Sequence, residues 1–378
     1  MIILNTCICI IIFLVGYNLK NTMRGFDKID RKFLKQLFFY HFLIAIAFHF
    51  YIANFGGDAT YYWEFARDSS LEDIMEIVNR GSATGVLYLI NYLPANIFQL
   101  SFFTGNMMYA LLGYVGFVYI YKTLKDIFGD LRQLFSIKLF GISIHPWIWF
   151  LPNLHFWSSG IGKDTILFFC IAVFIFCIQK VRTRLLGLLV SIIISLAIRP
   201  HITLFLLVSF GIGYMIDGRL KGYQKALLFM VFLVGFISIF NYVLEFVQLE
   251  SLETSAIDEY ASTKAANLNK AQSGSGIDIS SYPFPLKVFT FLYRPLFFDI
   301  NGILAVLASI ENLILLLFTV AILRNKPFAA FKGGAVIIKS MLLYFIMGAV
   351  SFSLILGNLG IMLRQKNMFI PYFIIFGL

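Results

Sequence analysis

The sequence predicts an all-α fold, a polytopic transmembrane helix bundle of about 10–12 spans, and three observations carry that prediction. The chain is 60% apolar, with 43 Phe and only 13% charged residues. Its apolar runs repeatedly approach the ~20 residues that a helix needs to cross a bilayer. Its charges are confined to the short gaps between those runs. In a soluble protein a net charge of +10 would point to nucleic acid, but charge distributed this way sets membrane orientation instead. A lipid bilayer is therefore an expected partner and nucleic acid is not, and residues 1–378 read as a single integral membrane domain.

In chain order, spans are expected near 1–17, 36–55, 104–121, 136–151, 165–179, 185–198, 202–216, 226–244, 301–323 and 335–357. The run 368–378 is too short to cross alone and reads as a half-helix or part of a longer one. The first run has no basic n-region and no small-residue cleavage site, and a basic gap follows it. It reads as an uncleaved span with its N-terminus outside rather than a signal peptide. Residues 81–103 are apolar enough to cross, yet a crossing there would invert every later gap against its charge. With Asn91, Pro94, Asn96 and Gln99 in it, this stretch is expected to be re-entrant or to lie flat at the outer surface.

Five gaps, 18–35, 122–138, 180–184, 217–225 and 324–332, hold 19 Lys and Arg against five acids, and the opposite gaps hold ten against 14. The first set is assigned to the cytoplasm. Cys7, Cys9, Cys170 and Cys177 all lie in apolar spans, and the five histidines show no paired ligand spacing. No metal site and no cofactor are implied.

The opposite side carries the chemistry. The first outer loop, 56–84, opens with Gly56 and Gly57, which places Asp58 at the interface beside Tyr61, Tyr62 and Trp63. A partly desolvated carboxylate there suits a general base; the alternative is that Asp58 caps a helix beginning near Thr60. Leu71, Ile74, Met75 and Val78 follow at helical spacing, as in an amphipathic interfacial helix. In the next outer gap Trp147, Trp149 and Trp157 mark the interface, and Ser158, Ser159, Gly160 and Gly162 open a helix with Lys163 and Asp164 in its first turn. A helix N-terminus with a lysine suits a phosphate, although a cap or an ion pair would use the same residues. Arg199 and His201 interrupt two apolar runs, where an ionisable residue is a functional candidate unless it merely snorkels. The loop 245–300 is long, polar at its centre and expected to act as a substrate lid. It returns through Arg294 and Asp299, Glu311 lies inside the following span, and Arg364 stands in the last outer gap.

Arg199, Arg294, Arg364 and Lys163 on one side, with Asp58 and His201 as candidate bases, fit a pocket for a diphosphate at the outer leaflet. Asp164, Asp299, Glu311 and Tyr62 complete the expected substrate-binding set. A membrane-embedded substrate with that head group is a polyprenyl diphosphate-linked sugar, whose transfer needs a base for the acceptor hydroxyl and cations for the departing diphosphate.

Four stretches carry a resemblance: G-G-D-x-x-x-Y at 56–62, F-W-x-S-G-x-G-K-D at 156–164, R-P-H at 199–201 and F-L-Y-R-P-L-F-F-D-x-N-G at 291–302. They resemble motifs of membrane proteins from bacterial capsule, exopolysaccharide and O-antigen clusters. The chain is similar to oligosaccharide repeat-unit polymerases of the O-antigen polymerase (Wzy-like) type and, more distantly, to GT-C glycosyltransferases. The resemblance implies a multi-pass enzyme of the bacterial inner (plasma) membrane with an outward-facing active site. Its expected substrate is an undecaprenyl or related polyprenyl diphosphate-linked oligosaccharide, and other polysaccharide assembly proteins are its expected partners. By resemblance, Asp58 stands where GT-C enzymes carry a loop acid, and Arg199 and Arg294 stand where polymerases carry diphosphate-binding arginines. GT-C enzymes place that acid after the first span, whereas Asp58 follows the second. The competing classes are a flippase of lipid-linked oligosaccharide, which Glu311 favours, and an outer-leaflet acyl or phosphoglycerol transferase, which would use His201.

Overall fold

The computed structural model describes residues 1–22, 25–139, 141–216, 221–226, 229–230, 233–234, 236–237, 276–279, 281–300 and 302–378. The chain is an all-α polytopic helix bundle, and among the described residues six helices are long and apolar enough to cross a membrane. Two compact units divide it: Met1–Lys138 with Ser143–Arg199, and Pro200–Leu378 with Leu139–Ile142.

The first unit contains α1 Ile2–Thr22, α2 Lys28–Phe55, α3 Asp58–Asp68, α4 Leu71–Asn79, α5 Ala83–Tyr92, α6 Phe102–Phe128, α7 Pro152–Phe156, α8 Lys163–Ile178 and α9 Val181–Ile198. Helix α2 starts well before its apolar run because Asp27 and Asp30 form a reciprocal capping box. Ser70 and Asp73 do the same for α4, whose Ile74 is fully buried. Residues 81–103 make the ten-residue α5, then a π-helical turn at Leu93–Ile97 with Pro94 inside it, so no crossing-length helix forms there.

Pairings across the unit give each pass its direction. Helix α2 meets α6 at Asp30 with Tyr121, at Leu34 with Tyr114 and at His49 with Asn106, so the two run antiparallel. Helix α8 meets α6 at Phe168 with Phe117 and at Phe176 with Tyr119, so those two run parallel. One end of the unit gathers the pairs Lys125–Asp30, Lys180–Asp126 and Arg184–Asp126; Asp58, Lys163 and Arg199 belong to the other.

The span expected at 136–151 is not a helix. Residues Leu131–Ser136 form a 3-10 turn, β1 Lys138–Leu139 and β2 Ile142–Ser143 pair as a hairpin, and Trp147–Phe150 form a second 3-10 turn. Gly141, at φ 83°, supplies the left-handed residue of the hairpin, and Pro146 lacks the N–H group that a helix interior would need. A broken stretch, 145–160, instead climbs alongside α2. His145 lies against Phe33, Phe150 against Tyr40, His155 against His41 and Gly160 against Phe48. Fifteen residues of α2 cover about 22 Å at ~1.5 Å each, most of a bilayer core. Irregular backbone at that depth requires burial in protein, and residues 158–162 are buried without exception. The three tryptophans therefore do not share one interface: Trp147 is 67% exposed near the level of Phe33, Trp149 is buried, and Trp157 lies against Phe48.

The second unit contains α10 Pro200–Ile216, α11 Phe284–Tyr293, α12 Ile303–Arg324, α13 Pro327–Gly333, α14 Val336–Ile355, α15 Leu359–Lys366 and α16 Ile370–Gly377. Gly213 abuts Ser340 and Ser209 faces Met347, so α10 and α14 run antiparallel. The expected span 226–244 falls largely, and residues 245–275 of the expected loop 245–300 fall wholly, outside the described residues.

Candidate functional site

In the first unit, α8 and α9 form an antiparallel hairpin of similar lengths, which brings the start of one to the end of the other. Arg199 closes α9: its N–H donates to Ser195 O at 2.8 Å, and Pro200 after it holds it extended. From there Nη1 reaches Asp164 Oδ1 at 3.0 Å, with the Arg199 side chain 14% and the Asp164 side chain 7% exposed. Lys163, the first residue of α8, donates to Thr84 Oγ1 at 2.7 Å. The turn before α8 is fastened by Asn106, whose Oδ1 accepts Ile161 N–H at 3.1 Å.

Thr84 links this cluster to the first loop. Tyr62 of α3 lies 6.2 Å from Tyr88 of α5, ring to ring, and further along Asn96 donates to Arg67 O at 2.7 Å. The two helices thus run side by side in the same direction. Thr84 lies in the first turn of α5, and Asp58 begins α3. Asp58 is the first residue of α3, and the N-cap is Gly57. The helix thus begins two residues earlier than expected, and Asp58 is not its cap. Asp58 is exposed, although Gly57 before it packs against Ile52 of α2. Trp63 turns the other way and is buried against Gly105 of α6. Burial, and then bonding to Tyr61, pushes the Tyr88 hydroxyl well above the usual tyrosine range.

Compared with known proteins, no family model, curated protein or solved structure matches this chain.

The second unit holds the other candidates. Arg294 closes α11 as Arg199 closes α9: its N–H donates to Thr290 O at 3.1 Å and a proline follows. Its guanidinium forks onto Asp299, with Nε to Oδ2 at 3.0 Å, and lies 5.4 Å from the Phe298 ring. Burial raises the Asp299 carboxyl, but the Arg294 fork and Leu296 N–H outweigh it and leave the group below the usual carboxylate range. Glu311 is buried in α12 within electrostatic reach of Lys366, a fully buried amine that donates to Leu292 O at 3.1 Å and to Asn312 Oδ1. His201 packs between Phe205 and Phe352, and Arg364 stands on α15. Asp58, Tyr62, Lys163, Asp164 and Arg199 thus belong to the first unit, and His201, Arg294, Asp299, Glu311 and Arg364 to the second.

Sequence reasoning missed Thr84 and Asn312, and it placed Lys366 with Arg364 on the outer surface, whereas Lys366 is buried against Asn312. Thr84 lies 79 positions from Lys163 and Asn312 lies 54 from Lys366, so no local spacing connects them. The exception is the pattern Ser/Thr-x-x-x-Arg-Pro, present at 195–200 and 290–295, which marks both arginine-closed helix ends.

Proposed function

We propose that this protein transfers or polymerises polyprenyl diphosphate-linked oligosaccharide at the outer leaflet of a bacterial plasma membrane, alongside other proteins of surface polysaccharide assembly. The observation that carries the reading is the convergence of Lys163, Asp164 and Arg199 at the start of α8, with Lys163 bonded to Thr84 of α5, the helix that α3 packs against through Tyr62 and Phe65. A helix N-terminus, an amine and a guanidinium together suit a diphosphate. In the resting state Asp164 neutralises Arg199, and a diphosphate would compete for the same guanidinium. In the transfer step Asp58 takes the proton of the acceptor hydroxyl. The hydroxyl oxygen bonds to the anomeric carbon as the bond to the diphosphate breaks, and the departing oxygen takes the electron pair, stabilised by Arg199 and Lys163.

Transport is a second reading, favoured by a cavity of about 410 Å³ at the other end of the first unit, lined by Asp30, Lys125, Tyr121, His145, Trp147 and Phe150. Deleting the gene separates the two. Transfer at the outer leaflet leaves lipid-linked single units accumulating outside; transport leaves them accumulating inside. Unchanged polymer with neither accumulation rejects both.

A further inference from the structure

Midway along the broken stretch, His155 meets His41 of α2, and both rings are completely buried. Their Nδ1 atoms face each other at 2.9 Å. The Nε2 of His41 lies 3.0 Å from Ala110 O, and the Nε2 of His155 lies 2.8 Å from Trp149 O. A carbonyl oxygen only accepts, so each Nε2 must carry a hydrogen, and the contact between the two Nδ1 atoms needs one more. Three contacts thus require three protons, whereas two neutral imidazoles bring two. Any choice of neutral tautomers leaves one pair of lone pairs pressed together in a place without room for rearrangement: a methyl on Gly113 would meet Ser158 O at 1.8 Å and His41 Nε2 at 3.1 Å.

We propose that His41 and His155 together bind a single additional proton, held between their facing Nδ1 atoms, so that this pair is a proton-binding site within the membrane-crossing part of the first unit. An independent feature agrees: the Phe117 ring lies flat on His155, with centroids 4.3 Å apart and planes within 9°, and an aromatic face attracts a cation. The titratable groups that face the pair are Tyr40 of α2, 4.9 Å from His155 ring to ring, and Tyr114 of α6, 6.5 Å from His41. Tyr114 is engaged, donating its hydroxyl to Leu34 O at 3.0 Å. Phe117 and the Ala110 carbonyl complete the α6 side, and the Trp149 carbonyl faces the pair from the broken stretch. When the proton leaves, the Nδ1 contact turns repulsive in a place where the rings have no room to part. His155 stands eight residues before Lys163 on the stretch that leads to the start of α8.

The test is nitrogen NMR of the full chain, labelled at histidine and held in lipid nanodiscs, between about pH 5 and 9, the range in which histidines titrate. Single His→Gln variants at His49, His145 and His201 remove the other signals. The expected result at the acidic end is three protonated nitrogens among the four of the pair, with one proton lost in a single step that both rings report. Two bare nitrogens at every pH, four protonated nitrogens, or rings that titrate independently would overturn the proposal. His155→Gln should abolish the step, because an amide can donate to His41 Nδ1 and no extra proton is then required; a persistent imidazolium at His41 in that variant would also overturn it. The wild-type spectrum decides the question if the variant does not fold.

Discussion

Arg199 and Asp164 are buried together, and the attraction between them offsets the cost of desolvating two charges only while both remain. Removing one should therefore be worse than removing both. Arg199→Ala is expected to lose about 3–5 kcal/mol by removing one partner of the ion pair, whereas the apolar double variant Arg199→Met with Asp164→Leu should melt near the wild-type temperature. If the pair serves only the fold, the double variant keeps activity; the expected result is a stable protein without transfer activity, read by thermal unfolding in detergent beside a transfer assay. Arg199→Lys keeps the charge but loses the planar fork, so it should insert normally and still be impaired. Asp58 is judged differently because it is exposed and starts α3 without capping it. Asp58→Asn should leave the melting temperature unchanged while lowering turnover by ~10²- to 10⁴-fold, the usual cost of losing a general base. Near-normal turnover in the purified variant would take the base role away from Asp58.

The broken stretch 145–160 is the element on which the first unit depends. A regular helix presents side chains to its neighbours, but this stretch brings its backbone against α2 and α6, and only glycine permits that approach. A methyl at Gly160 would lie 1.8 Å from the Phe48 ring, and one at Gly113 would lie 1.8 Å from Ser158 O. Gly160→Ala and Gly113→Ala are each expected to destabilise by about 1–3 kcal/mol or more through overpacking. Gly162→Ala in the same motif should be nearly neutral, since nothing lies within 4 Å of its added carbon. Thermal unfolding of the three proteins in one detergent checks this; equal stabilities would mean that the crossing is not packed as described. The two arginine-closed helix ends show a complementary device. In each, a Ser or Thr carbonyl four residues back accepts the arginine N–H, and the following proline ends the helix there.

At the scale of the molecule, the prediction concerns sides. If the acidic end of the first unit faces out, a cysteine at Ser70 should react with an impermeant thiol reagent in intact cells. Cysteines at Gln133 and Thr183, exposed near the Asp126–Arg184 end, should react only after lysis. Asn325 follows α12 in the second unit and belongs to a basic gap, so a cysteine there should also be protected. Labelling of Gln133 from outside would mean that 145–160 does not cross. The all-α, membrane-crossing character was legible in the sequence, because crossing a bilayer requires long apolar runs and because loop charge follows orientation. So were the ionisable residues at span edges, Lys163, Asp164, Arg199 and Arg294, since their cost in hydrocarbon makes them conspicuous wherever they occur. The pairing of Arg199 with Asp164, the seat of Lys163 on Thr84, the joining of His41 to His155 and the run of irregular backbone alongside α2 were decided by the tertiary structure alone. Hydropathy records how much a segment dislikes water, and it cannot record whether neighbouring helices satisfy the backbone groups of a broken crossing. Contacts between residues 35 to 114 positions apart leave no period in the chain, and they exist only once the helices have packed.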